Sequence, residues 1–332
     1  MRQVLRIDAD RDIGYGHAVR VAALVEKLPA AETIVCGHVD RLEHLFPGCK
    51  QIDAPADPRA CVQLIRSLAA GLVLCDSPLL SPAFWPAAHA LAPARMVAVD
   101  DYGGPVQADL VVNGTVLPEY HRYPALRGPA MALCGGRYAL LRSCFRGRAW
   151  TEPLEQRLTV VAGSGPRAAR WIGALATAGF FASHGSAVRL VVGWGFSNAE
   201  LVQRLRSSGV VVHVGMEGPE LAQLLTSSTL LLATGGMIVY EALALGVPSI
   251  ILPQEDNLLA EAAWFASRGA IVDLGPMDDR CAARTAAVVA DLWNDPSSRQ
   301  RLAARAASVI DGAGTQRVAA HIAQLLARQA RT

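Results

Sequence analysis

Short apolar runs recur along the chain, each closed by a turn containing Gly or Asp and followed by a longer segment rich in Ala and Leu. That alternation predicts parallel strands covered by helices. In the first half it places strands at residues 4–7, 33–36, 72–75, 96–99 and 109–112. The rhythm restarts at 158–161 and continues at 188–192, 210–214, 229–232, 248–252 and 270–272. Two helices, 281–293 and 297–327, are expected to close the chain. Arginines and polar residues interrupt the pattern between Cys144 and Glu155, which predicts two Rossmann-like halves, residues 1–148 and 149–332. The expected fold class is α/β, with two such domains facing across a cleft lined by the carboxyl ends of both sheets, where open α/β sheets bind ligands.

Composition narrows the possibilities. With 332 residues, 52% apolar and 18% charged, the chain has the material for large cores, and disorder is excluded. A net charge of +2 gives no reason to expect nucleic acid or an anionic membrane as partner. The N-terminus lacks the apolar stretch and small-residue cleavage site of a signal peptide, so a cytoplasmic protein is the expectation; a monomer is expected, although the sequence does not fix the oligomeric state. The longest uncharged stretch, 221–240, contains Gln223, Ser227, Ser228, Thr229 and a Gly-Gly pair; it predicts a buried strand followed by a helix, with no membrane insertion. Seven scattered cysteines without a Cys-x-x-Cys pair predict reduced thiols and no zinc site.

The chemistry concentrates in turns at strand ends. After the first strand the chain reads Asp12-Ile13-Gly14-Tyr15-Gly16-His17. Gly14 and Gly16 allow a ligand close to the backbone, and the following helix aims free N–H groups at it. Val19 stands where a dinucleotide fingerprint requires its third glycine, which weakens an NAD reading. His17 is a poor cap, and the helix dipole favours its neutral form, which suits a general base; a surface histidine beside a tight turn is the alternative. In the second half Gly235-Gly236-Met237 opens a helix and can cradle a phosphate, with Glu241 one turn further on; a packing turn with a solvated Glu is the alternative. The polar loop 253–257 contains Gln254 and Asn257, groups that suit a sugar. No P-loop, G-x-S-x-G or H-E-x-x-H is present.

Taken together, Gly14-Tyr15-Gly16-His17-x-x-Arg20, Val99-Asp100-Asp101, Gly136-Arg137-Tyr138-Ala139-Leu140-Leu141-Arg142 and the helix around Glu241 resemble the UDP-sugar hydrolases of pseudaminic acid biosynthesis, which have the glycosyltransferase-B fold. Those enzymes remove UDP from UDP-2,4-diacetamido-2,4,6-trideoxy-β-L-altropyranose. The resemblance implies that His17 is the base, that Gly14, Gly16, Gly235, Gly236 and Met237 serve the diphosphate, and that Glu241 holds the ribose. It further implies that the backbone around Val214 to Met216 holds the uracil and that Asp12, Gln254 and Asn257 lie near the sugar. A nucleotide-sugar substrate is implied, with neither cofactor nor metal. Two places depart from the family pattern. Ala162-Gly163-Ser164-Gly165-Pro166 replaces a Gly-Gly-Ser/Thr-Asp turn, and Asp76-Ser77-Pro78 lacks the tyrosine of an Asp-x-Tyr. An inverting glycosyltransferase and a non-catalytic nucleotide-sugar-binding protein are the alternatives left open.

Overall fold

The structure is a computed structural model that describes residues 1–29, 32–126, 130–147 and 149–329. It divides into two units, Met1–Arg142 with Ala313–Thr332, and Ser143–Gly312. Arg148, at the expected division, lies outside the described residues.

The first unit runs β1 (Arg2–Ile7), α1 (Gly16–Val25), β2 (Glu32–Cys36), α2 (Leu42–Leu45), β3 (Lys50–Ile52), α3 (Pro58–Ser67) and β4 (Leu72–Asp76). It continues with α4 (Phe84–Ala88), β5 (Arg95–Val99), β6 (Leu110–Asn113) and β7 (Met131–Cys134). All seven strands are parallel, in the order β3-β2-β1-β4-β5-β6-β7. Alternate side chains serve opposite faces, as the pleat requires. Leu5, Leu72, Leu74, Val97 and Val112 pack on one side, and Val4, Val73, Cys75, Ala98 and Val111 on the other. The two strands that the sequence reading did not place, β3 and β7, are the sheet's edges, where burial is incomplete.

The second unit comprises β8 (Leu158–Ala162), α5 (Pro166–Thr177), α6 (Phe180–His184), β9 (Val188–Val192), α7 (Ala199–Ser207), β10 (Val211–Val214) and α8 (Gly218–Thr226). It then adds β11 (Leu230–Ala233), α9 (Met237–Leu245), β12 (Ser249–Ile251), α10 (Asp256–Ala266), β13 (Val272–Asp273), α11 (Cys281–Trp293) and α12 (Pro296–Val309). Its six parallel strands are ordered β10-β9-β8-β11-β12-β13. Strand order reverses between β1 and β4 in one sheet and between β8 and β11 in the other, and such switch points open ligand crevices at the carboxyl edge.

The last helix corrects the sequence reading. A single helix over 297–327 was the expectation, but the chain breaks at Gly312, with φ +69°, and restarts as α13 (Gly314–Gln329). Nor does α13 stay with residues 149–312: it joins the first unit, because Val318, Ala319 and Ile322 bury against the face that α1 also covers. Each fully buried aliphatic side chain there contributes about 1.5–3 kcal/mol. Its start is pinned where Thr315 Oγ1 donates to Leu141 O at 2.7 Å. A Cβ on Gly314 would lie 2.2 Å from Ala139 O, so the Tyr138-to-Arg142 segment serves as a docking strip for α13. Among the described residues no helix is long and apolar enough to cross a membrane.

Candidate active site

The turn between β1 and α1 is folded by Asp10. Its carboxylate accepts from the Asp12 and Ile13 amides, both at 2.8 Å, and its carbonyl accepts from Gly14 N at 2.8 Å. Gly14 has φ +89°, a conformation that favours glycine, and Gly16 begins α1 with open space at its Cβ position. Asp12 is exposed on the turn. His17 is the second helical residue, and Arg20, three positions on, shares its face.

Both side chains meet Asp76, the last residue of β4, across the switch point. His17 Nδ1 lies 2.7 Å from Asp76 Oδ1, while Arg20 donates from Nε to Oδ2 at 2.6 Å and from Nη2 to Oδ1 at 2.7 Å. The other arm of Arg20, Nη1, reaches Asp101 at 2.7 and 2.9 Å. Asp76 is 1% exposed. Burial alone would push its carboxyl up, but the charge and hydrogen bonds of Arg20, with the bond to His17, outweigh that and hold it below the usual carboxylate range. For Arg20 burial opposes the charge, and Asp101 and Asp76 together hold the guanidinium well above its usual value. An ionised Oδ1 accepts only, so Nδ1 of a neutral His17 carries the hydrogen and Nε2 keeps its lone pair. The 3.2 Å approach of Arg20 Nη2 to Nδ1 is then two donors converging on one oxygen.

A second buried pair sits beside the first. Asp8, just past β1, is bonded to Arg6 and accepts from the His38 amide at 3.0 Å and from Ser77 Oγ. Ser77 thus belongs to this pair.

In the second unit the candidate residues gather on the carboxyl edge of its sheet. Gly235 and Gly236 have φ +99° and +82°, and Gly236 caps α9 with no side-chain bond, leaving amides at the helix start. Glu241 is 4% exposed, so the solvated alternative is excluded. The cause is a helix, Met237-Ile-Val-Tyr-Glu-Ala-Leu-Ala-Leu245, that is apolar on every side. Gly165 caps α5 in the same way, and Arg167 in its first turn donates to the Gln254 carbonyl at 2.6 Å. Asn257 is the second residue of α10 and half-buried. Val214 ends β10 with 44% of its surface exposed, followed by Gly215 and half-buried Met216. Trp194 lies on Gly215 so closely that a Cβ there would stand 1.7 Å from the indole.

The structure therefore brings His17, Gly14, Gly16 and Asp12 together in the first unit, and Val214, Met216, Gly235, Gly236, Met237, Glu241, Gln254 and Asn257 in the second. The sequence reading assigned no role to Asp76, Trp194 or Arg167. Among the described residues no three of His, Cys, Asp and Glu are grouped to hold a metal ion.

No protein-family model matches the chain. A 56-residue stretch is 38% identical to the spore coat polysaccharide biosynthesis protein SpsG of Bacillus subtilis (strain 168), covering 17% of this chain and 16% of that protein. Solved structures match over nearly the whole length. An S. aureus MnaA–UDP co-structure superposes with TM-score 0.66 at 13% identity, covering 98% of this chain and 97% of that one. MurG of Acinetobacter baumannii gives 0.64 at 14%, covering 98% and 100%. UDP-GlcNAc 2-epimerase from Neisseria meningitidis bound to UDP-GlcNAc gives 0.59 at 11%, covering 98% and 100%. With two doubly wound parallel sheets, the chain has the glycosyltransferase-B fold.

Proposed function

We propose that this protein is a UDP-sugar hydrolase, releasing UDP from a UDP-linked acetamido deoxysugar by attack of water at the anomeric carbon. The observation that carries the reading is His17 held on buried Asp76 at a switch point, its Nε2 left to accept a proton. Water forms a C1–O bond on the face opposite UDP, the bond from C1 to the diphosphate oxygen breaks with inversion, and the water proton passes to Nε2 and then to solvent. UDP leaves with the electron pair. The uncapped starts of α5 and α9, with Arg167 beside them, suit the charge it develops. Trp194 offers a face for the uracil, and Glu241 a carboxylate for the ribose. Fold neighbours solved with UDP and with UDP-GlcNAc support a uridine nucleotide sugar as substrate, and the match to a polysaccharide biosynthesis protein supports a sugar-processing role.

One observation favours transfer to a sugar hydroxyl instead. Tyr102, next to Asp101, is 62% exposed and meets Tyr120 edge-on at 5.9 Å, forming an aromatic surface on which a pyranose acceptor can stack. Incubation with UDP-sugars in ¹⁸O-water separates the readings. Hydrolysis puts label on the anomeric carbon of the free sugar; UDP release only when a saccharide acceptor is added marks a transferase, and no release with either marks a binding protein.

Glu241→Ala is expected to weaken UDP binding roughly 10- to 150-fold, the loss of charge-assisted hydrogen bonds of about 1.5–3 kcal/mol. Calorimetry with UDP measures it, and Glu241→Gln controls for packing. An unchanged constant would assign Glu241 to the helix interior alone.

A further inference from the structure

The face of the first sheet that α3 covers carries an arginine among cysteines. Arg6, on central β1, is 6% exposed, and the strand register sets Cys36 of β2 and Cys75 of β4 level with it on either side. Paired residues of neighbouring strands point the same way, so these side chains enter the cluster that α3 closes with Cys61, Val62 and Ile65. Cys36 and Cys61 are buried free thiols, hydrogen-bonded to each other, and Arg6 bonds Cys61 as well. Arg6 Nη1 also donates to Asp8 and, at 3.5 Å, approaches the Cys36 carbonyl, whereas Arg6 Nε is buried with no partner. A neutral thiol is a weak acceptor, so two donors converging on Cys61 suit a thiolate there.

We propose that Cys36 and Cys61 form a peroxide-oxidisable dithiol, which closes into a disulfide between β2 and α3 and is reopened by a small thiol. The proposal is independent of the UDP-sugar reading. The roles of the two sulfurs follow from their bonds. The hydrogen bond from Cys36 holds the Cys61 thiol below its usual range, with the charge of Arg6 helping and burial opposing, while Cys36 is held above its own. Cys61 is thus the nucleophile and Cys36 the resolving thiol. Burial pushes the Cys75 thiol up to about 12, which leaves it out of the exchange. Nor is the cluster a metal site, since among the described residues no three such ligands are grouped to hold an ion.

In the first step the Cys61 thiolate attacks one oxygen of hydrogen peroxide. The O–O bond breaks, the departing hydroxide takes up a proton as water, and Cys61 becomes a sulfenic acid. The Cys36 sulfur then attacks that of Cys61; the S–S bond forms, the S–O bond breaks, and the second water leaves with the Cys36 proton. Two thiols have given two electrons to one peroxide, with two waters formed. Cys61 is reached from the first turn of α3, which follows exposed Ala56 and Asp57 and is tied by the Asp57 carboxylate accepting from the Ala60 amide at 2.8 Å. Opening that single turn admits a molecule as small as peroxide.

The test treats the full chain with hydrogen peroxide at neutral pH, blocks remaining thiols with iodoacetamide and maps the peptides by mass spectrometry, with circular dichroism as the check on folding. A Cys36–Cys61 linked peptide lacking two hydrogens is expected, lost again on adding dithiothreitol. It should form roughly 3- to 10-fold faster than Cys49, Cys134 and Cys144 oxidise, although those three are only half-buried, because thiolate content sets the rate. Cys75→Ser should form the same link. Cys36→Ser should strand Cys61 as a sulfenic acid that dimedone traps. The proposal is overturned if Cys36 and Cys61 stay reduced while the half-buried cysteines oxidise, or if the link joins Cys75. It is overturned equally if the link appears only where circular dichroism shows the chain unfolded. The parent protein alone supplies these three outcomes, so the test stands even where a variant does not fold.

Discussion

His17→Ala is expected to slow release of UDP from the UDP-sugar by about 10²- to 10⁴-fold, the usual contribution of a positioned general base. UDP affinity and folding should change little. His17 lies in the first unit, whereas the residues assigned to uracil and ribose lie in the second. Its side chain is also partly exposed, so removing it opens no cavity in either core cluster of the first unit. Asp76 loses one bond but keeps both to Arg20, so no buried carboxylate is stranded. Single-turnover kinetics at saturating substrate with UDP calorimetry on the same preparations checks both parts. Equal losses of affinity and turnover would make His17 a binding residue, and full activity in His17→Ala would refute the mechanism.

His17 was legible in the sequence, but the carboxylate that holds its ring was not. A histidine at a helix start after a Gly-x-Gly turn is unusual enough to single out, and Arg20 at the i+3 position was visible beside it. Asp76 is 59 residues from His17, and Asp101 is 81 from Arg20. They meet because β1 neighbours β4 and β4 neighbours β5, a pairing that apolar runs do not specify. The available signal was an Asp at the carboxyl end of each of three predicted strands, at Asp8, Asp76 and Asp100-Asp101.

Strand interiors were read from their burial, so what escaped was whatever burial does not mark. Edge strands β3 and β7 have polar or exposed faces. The boundary of the second unit was blurred because α13 has an amphipathic stripe that suits either core, and only its contacts with α1 and the Ala139–Leu141 strip decide where it packs. Glu241 is the opposite case, since α9 has a single charged residue among nine and that composition already points to a buried helix. A carboxylate in such a helix stays only where partners hold it, which is why it is a better ribose candidate than an exposed glutamate would be.

Asp76→Asn should match the rate loss of His17→Ala while leaving the imidazole in place, which separates orientation from proton transfer. Every lone pair of Asp76 that matters receives a donor: Oδ1 faces His17 Nδ1 and Arg20 Nη2, and Oδ2 faces Arg20 Nε. An asparagine must put its NH₂ group at one of these places. Facing His17, it forces Nδ1 to accept and moves the ring hydrogen to Nε2, so the base is lost. Facing Arg20 Nε, it sets two donors against each other in a buried site. Turnover should therefore drop roughly 10²- to 10⁴-fold by loss of the correct tautomer and of the charge that stabilises imidazolium. Stability should fall as well, by about 1–3 kcal/mol, because Arg20 loses charge-assisted bonds yet keeps both to Asp101. Urea melts and turnover measured on the same variant distinguish the two contributions. A destabilised Asp76→Asn that still turns over within threefold of the parent would make the carboxylate a structural anchor for Arg20 and leave His17 without its partner in catalysis.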